Sequence, residues 1–357
     1  MVDRNSRLKS LSVVKSIENI DEQDWNDLAN KSQTASWFQT KAGYDFFLSV
    51  HSELQPFGYG VYRDNQLKGV CIGFITKQKN PIEQFFTRRA IINGGPMLPD
   101  DVTAEDVTEL MTAVRLSLQQ SAWKCRPIYV ETRNFNDYSA CKDAFIKAGF
   151  AYKEHLNFRI STLSQEQVLQ QMDEGRRRNI RATIKAGATI VENPTLEQVQ
   201  ECYVILRTLY RRKIRLPLFS STFFKALRKS FGTVFLLVLY RGRIIGGTVC
   251  LVLEGRCMYE WYVCGEDGMY DGVYTSSFAT YAGLQYAVKH QLPVFDMMGA
   301  GVPDEPNGVR DFKARFGGQL VEYGRFLTII NPALYQIGKL GVKVIKTSQA
   351  SKNMMGW

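Results

Sequence analysis

Two stretches half a chain apart read alike, and this likeness constrains the fold more than any other feature. "VYRDNQLKGV" (61–70) and "LYRGRIIGGT" (239–248) each give a strand, a Tyr-Arg pair, a tight turn and a second strand carrying glycine. Tyr62 and Tyr240 stand 178 residues apart in a chain of 357. Asp64-Asn65 and Gly242 supply the chemistry of two-residue hairpin turns. The order of the later segments repeats as well. In the first half come "RRAIINGGPMLP", a helical stretch over 103–121, the strand "PIYVETR" and the turn "KDAFIKAGFAY". In the second come "GRCMYEWYVC", a helical stretch over 274–290, the strand "PVFDMMG" and "DFKARFGGQLVEY". These repeats imply a tandem duplication of one α/β unit. An antiparallel meander and then a helix crossing to a further strand predict, for each copy, a mixed, mainly antiparallel sheet flanked by helices. The length also exceeds what one hydrophobic core usually serves.

The sequence places the first domain at 1–160, closing it with "NFRISTL", the second at 161–330, and a basic tail at 331–357. Ser164 with Gln167 reads as a capping box opening a helix. The segment "EGRRRNIRATIKAGATIVE" predicts a helix from Gly175 to Ala186, ended by Gly187 in the left-handed conformation. On it Arg177, Arg181 and Lys185 form a stripe at spacing four, with Ile180 and Ile184 on another side turned inward. The next helix, over 196–213, buries Val199, Tyr203, Leu206 and Tyr210 by the same periodicity and ends in "YRRKIR".

Charge is unevenly placed. The chain carries a formal net charge of +10. Residues 174–215 hold ten Lys/Arg against four Glu, and residues 331–357 hold four Lys and no acid. Such patches suit a polyanionic partner, whether phosphate, nucleic acid or an anionic membrane surface, although a solvated helix face explains any one of them. The tail, with Lys339, Lys343 and Lys346 among apolar residues, suits an anionic bilayer or a frayed end equally. No segment has the apolar length of a membrane span or signal peptide, which predicts a cytoplasmic protein. Seven cysteines without a disulfide pattern read as free thiols, and Cys250, Cys257 and Cys264 lack the spacing of a zinc site. With three histidines and no H-E-x-x-H, no metal is expected.

The chain has no G-x-S-x-G, Walker A or dinucleotide fingerprint, so triad hydrolases, P-loop kinases and nicotinamide enzymes are disfavoured. Chemistry based on positioning and electrostatics remains, such as attack of an amine on an activated acyl group. The stretch "GVRDFKARFGG" (308–318), close behind the apolar "LPVFDMMGAG", is where it would sit. Lys313 would stabilise an oxyanion or hold a carrier phosphate, and Phe312 would pack under the acyl group. The plainer alternative is that Phe312 and Phe316 anchor the turn while Lys313 and Arg315 are solvated. Glu260, Asp296 and Asp311 are the carboxylates that would serve as a base, and each is equally readable as structural.

From "SWFQT" at 36 to "YGRF" at 326, and above all in "FDMMGAGVPDEPNGVRDFKARFGGQLVEYGRF", the sequence resembles the Fem family of peptidoglycan aminoacyltransferases, a branch of the GNAT acyltransferase superfamily. The resemblance implies two GNAT-like domains, with the aminoacyl donor on the second and the peptidoglycan precursor, lipid- or nucleotide-linked, on the first beside "SWFQT" and "INGGPMLP". It implies Phe312 and Lys313 at the reaction centre, and Arg177, Arg181 and Lys185 as contacts for tRNA or precursor phosphates. Without a heptad arm between 187 and 230, the chain resembles the compact FemX type. The reaction implied is interpeptide-bridge formation, in which a stem-peptide amine attacks the ester of an aminoacyl-tRNA. Aminoacyl-tRNA is then a co-substrate and no cofactor is required, and the enzyme would work in the cytoplasm or at the inner face of the membrane. The alternatives are an acyl-CoA-dependent GNAT N-acyltransferase and a non-catalytic RNA-binding protein. The turn "CGEDGMYDGVYTSSF" lacks the Q/R-x-x-G-x-G/A spacing used for a CoA pyrophosphate. "LRTLYRRKIR" favours the RNA binder, but no RNP-type aromatic strand accompanies it.

Overall fold

The computed structural model describes residues 12–339 except Lys79. It holds two seven-stranded sheets, each mixed and mainly antiparallel. The strands are β1 (Val13–Ser16), β2 (Leu54–Arg63), β3 (Gln66–Thr76), β4 (Ala90–Gly94), β5 (Tyr129–Asn134), β6 (Ala151–Lys153), β7 (Leu156–Ser161), β8 (Thr189–Val191), β9 (Thr233–Tyr240), β10 (Arg243–Leu253), β11 (Cys257–Gly265), β12 (Val294–Gly299), β13 (Gln319–Glu322) and β14 (Arg325–Ile329). The helices of the first half are α1 (Glu22–Lys31), α2 (Lys41–Ser49), α3 (Pro81–Thr87), α4 (Ala104–Gln120) and α5 (Lys142–Lys147). Those of the second are α6 (Gln165–Gln171), α7 (Glu174–Lys185), α8 (Leu196–Leu209), α9 (Ser221–Lys229), α10 (Thr275–Lys289) and α11 (Gly308–Ala314).

The duplication is present in the fold. The β2–β3 turn places Asp64 and Asn65 at φ 51° and 60°, and the β9–β10 turn places Arg241 and Gly242 at 49° and 74°. Two consecutive left-handed residues twist a hairpin in the sense its strands require. In each copy a long helix, α4 or α10, then crosses to a strand parallel to the one before it.

The boundary differs from the one expected from the sequence. Strand β7 lies between β12 and β13 in the second sheet, and β14 lies between β5 and β6 in the first. The "NFRIS" strand therefore belongs to the second unit, and "RFLTI" to the first. Among the described residues the units are 12–153 with 325–339, and 154–324. Helical residues 332–339 come after β14, and the basic tail beyond, with Lys343 and Lys346, lies outside the described residues.

Each unit has its own core. In the first, α4 lays Val107, Leu110, Met111 and Val114 on Ile75, Ile92 and Val130. In the second, α10 lays Phe278, Ala279, Ala282 and Leu284 on Leu236, Cys250, Met258 and Phe295. The helix starts agree closely with the sequence. Ser164 caps α6 by accepting from Gln167 N at 3.1 Å, but the Gln167 side chain bonds Ser161, leaving the capping box half made. Thr195 and Gln198 complete a full box at α8.

Candidate functional site

The parallel strands β11 and β12 pair only from Cys257–Val294 to Tyr259–Asp296 and then part. Their counterparts β4 and β5 stay paired over five residues, to Gly94–Asn134. A bulge causes the difference. Between Asp296 and Gly299 the register of β12 against β7 shifts, and Met298 sits at φ 61°, a conformation that a methionine adopts only under local compulsion. Beyond Asp296 the main chain of β12 no longer pairs with β11, and its carbonyls need other partners.

Lys313 is one such partner. From the last turn of α11 its ammonium donates to the carbonyl of Met297 and, at 2.7 Å, to that of Gly299. It is buried, with Glu260 and Asp296 as its charged neighbours. Burial pulls its pKa down to about 8, against the pull of the two carboxylates. The same burial pushes Asp296 up to about 6, opposed by Arg159, the Met298 N–H and Lys313. Glu260, whose Oε1 accepts from Thr280 at 2.7 Å and Thr248 at 3.1 Å, is also raised by burial. Asp296 accepts from Met298 N at 2.6 Å, while its Oδ2 has no hydrogen-bond partner among the described residues, with Arg159 Nε 3.9 Å away. Of the expected carboxylates, Glu260 and Asp296 thus lie close enough to Lys313 for their charges to act on it. Asp311 does not, being exposed on the first turn of α11.

Phe312 is half-buried and faces Phe316 with ring centroids 5.4 Å apart. Between α7 and this pair lies a residue that the sequence does not single out. Arg176 is buried, its guanidinium 4.5 Å from each of the two rings, donating to Ser277 and, at 3.1 Å, to the carbonyl of Phe312. Burial lowers its pKa to about 10. Its signal is the spacing of four to Ile180, which puts it on the inward face of α7 amid three consecutive arginines. The stripe itself breaks up. Arg177 donates to the Leu169 carbonyl at 2.9 Å, whereas Arg181 and Lys185 are exposed. Ile184, expected inside, is half exposed, because Arg176, Ile180 and Thr183 form the buried face. Helix α8 ends at Leu209, and one π-helical turn, Tyr210–Ile214, presents Arg211, Arg212 and Lys213 to solvent.

The motif's glycine fixes the turn. Gly317 sits at φ 80°, and a β-carbon there would run into the carbonyl of Gln171. Gly317→Ala should therefore lower stability by about 2 kcal/mol, read by denaturant titration. An unchanged midpoint would show that the turn relaxes freely. The first copy supplies a comparison. Gly149, at φ 91°, donates to the carbonyl three residues back as Gly317 does, which puts Phe145 where Lys313 stands. Phe145 is buried and stacks on Phe326. One copy fills this position with hydrocarbon and keeps its strands closed; the other buries an amine beside an opened pair.

Two shallow hollows of the second unit, one bordered by Gln165, Glu192, Tyr286 and Lys289, the other by Thr195, Arg228 and Phe231, hold none of these groups. The parted strands, rather than a deep cavity, define the site. At the start of α10 two N–H groups are engaged: Tyr274 N by Thr183 Oγ1 at 2.9 Å and Ser276 N by the Asp267 carboxylate at 3.0 Å.

Comparison with known proteins agrees with the geometry. Residues 244–342, which span β10 to β14, match the model of the FemAB family. The fold is similar to a FemX crystal structure over 92% of this chain and 99% of that one, with a TM-score of 0.65 and 14% identity. A structure of L-PGS from Bacillus licheniformis aligns over 90% of this chain and 96% of its own, with a TM-score of 0.54 and 12% identity. A tandem GNAT protein from the clavulanic acid biosynthesis pathway aligns over 90% and 99%, with a TM-score of 0.53 and 9% identity. No curated protein sequence matches. The likeness to the Fem family, the tandem GNAT-like fold and the expectation of an acyltransferase are borne out. Among the described residues no helix is long and apolar enough to cross a membrane.

Proposed function

We propose that the protein transfers an aminoacyl group from aminoacyl-tRNA to an amine of a peptidoglycan precursor stem peptide. One observation carries the reading: a buried ammonium beside parted parallel strands, inside the segment that matches the FemAB model. The acceptor nitrogen would attack the ester carbonyl carbon, forming the C–N bond as the C–O bond to the tRNA ribose breaks. The proton lost by the amine goes to the departing ribose oxygen, so no protein base is needed. Lys313, held by the carbonyls of Met297 and Gly299, would offer positive charge where the oxyanion develops. Arg176 holds the Phe312 carbonyl and both rings, and so positions the turn that carries Lys313. Arg181, Lys185 and the basic π-helical turn are exposed and suit the tRNA backbone.

The acyl-CoA alternative is disfavoured by α10. A pyrophosphate bound at a helix N-terminus needs free N–H groups and no competing anion, and here the Asp267 carboxylate already occupies Ser276 N. The test is incubation of the protein and precursor with either charged tRNA or acetyl-CoA, followed by mass spectrometry. A mass gain of one amino-acid residue that disappears on ribonuclease treatment is the expected result. Acyl addition from acetyl-CoA without tRNA would overturn the reading.

A further inference from the structure

Helix α3 buries none of its side chains. Ile82, Phe85 and Phe86, at spacing three and four, share one face of it, and Ile82 is 70% exposed. The other face is the one attached to the unit. Gln84 accepts from Gln78 N at 2.5 Å and donates to the Thr76 carbonyl at 3.3 Å, and Asn80 caps the first turn. An amphipathic helix ordinarily turns its apolar face to the core, and this one is anchored the other way round.

Two further segments arrive at the same end of the first sheet. Helix α3 leads into β4, and the turn over 121–128 leads into its parallel neighbour β5. Strand β14, antiparallel to β5, finishes opposite Tyr129 and runs into helical residues 332–339. The Arg88 guanidinium bonds the Lys124 carbonyl, and Ile128 N donates to the Arg88 carbonyl at 2.9 Å. Ile330 N donates in turn to the Ile128 carbonyl at 2.9 Å. Trp123, 64% exposed, and Ile337 therefore accompany Ile82 and Phe86 at that end. Residues 77–89, 121–128 and 331–339 contain seven Lys/Arg and one acid, Glu83.

We propose that this end of the first unit docks on an anionic lipid bilayer, seating Ile82, Phe86 and Trp123 at the level of the headgroups while Arg89, Lys124, Arg126 and Lys339 meet lipid phosphates. Exposed aromatic and aliphatic side chains within a basic rim are what an interfacial site requires. The charge argues against other occupants. A second copy seated face to face would oppose like charges, and the chain's own residues 340–357 carry three Lys and no acid. The inference goes beyond the transfer chemistry and does not depend on it.

The full-length protein is sedimented with vesicles of phosphatidylglycerol and phosphatidylcholine in equal parts, and with vesicles of phosphatidylcholine alone. Binding to the first, weakened by salt, and not to the second is the expected result. The triple variant Ile82→Ser/Phe86→Ser/Trp123→Ser, at exposed positions and checked for an unchanged melting temperature, should bind at least about tenfold more weakly, as should Lys124→Glu/Arg126→Glu. Three results would overturn the proposal. The wild type stays in the supernatant; the triple variant binds as well as the wild type, with Lys343→Glu/Lys346→Glu alone abolishing binding; or the triple variant turns a dimer into a monomer in sedimentation velocity and leaves vesicle binding intact.

Discussion

Replacing Lys313 with methionine is expected to lower kcat for aminoacyl transfer by about 10²–10³-fold, the usual effect of removing one group that stabilises an oxyanion, and to leave KM for charged tRNA within a few-fold. Methionine keeps the length and apolar stem of the side chain, so the core contacts around Phe316 persist. What disappears is the charge and the two bonds to the Met297 and Gly299 carbonyls. A contribution made only in the transition state lowers kcat without raising KM. Lys313→Arg should not restore the rate, because a planar guanidinium cannot occupy the place of a compact ammonium between those carbonyls. Circular dichroism separates loss of chemistry from loss of fold. Single-turnover kinetics showing a folded Lys313→Met variant within threefold of wild type would remove Lys313 from the reaction, and with it the reason to place the chemistry in the second copy.

That placement is only partly legible in the sequence. The duplication is readable because turns and element order are local properties: Asp64-Asn65 and Arg241-Gly242 dictate hairpins wherever they stand. The exchange of β7 and β14 is not local. Nothing in "NFRIS" or "RFLTI" states which sheet each completes, since a buried apolar strand satisfies either edge. Lys313 stands out in its motif, but its burial is not foreseeable from periodicity, which favours a solvated lysine. The deciding feature is the bulge at Met298, and sequence patterns carry no sign of a methionine at positive φ. Arg176 is hidden among Arg177 and Arg178, although its spacing to Ile180 marks it as the inward member of the three. The family resemblance locates Phe312 and Lys313; the structure adds why they stand where they do, with Phe312 clamped by Arg176 and Lys313 completing the strand that β12 leaves unpaired.

The buried trio of Lys313, Asp296 and Glu260 also predicts an unusual dependence of stability on pH: a trough near neutrality, with the protein more stable on either side. Asp296 titrates near pH 6 in the folded protein and near 3.9 when unfolded. Between these values the folded state binds more protons, so the stability Asp296 contributes is full below about pH 4 and is lost as pH rises through 6. Glu260, raised in the same direction, adds to this loss. Lys313 titrates near pH 8 folded and about 10.4 unfolded. There the unfolded state binds more protons, so its contribution is full above about pH 10 and is lost as pH falls through 8. Between pH 6 and 8 Asp296 and Lys313 are both charged in a site where burial penalises charge, on the order of 3 kcal/mol for each of the two. Since the two units need not unfold together, the comparison is between variants rather than with a flat baseline. Chemical denaturation from about pH 4.5 to about pH 10 should show Asp296→Asn gaining on the wild type as pH rises towards 6, and Lys313→Met gaining as pH falls from about 10 to 8, with both differences level between 6 and 8. Glu131, held down to about 2 by Arg325 and Arg133, contributes stability that is lost only as pH falls below about 4.5, outside this window. Differences between each variant and the wild type that stay constant across the range would mean that the trio does not change protonation on unfolding, and a charged, buried site around Lys313 would have to be abandoned.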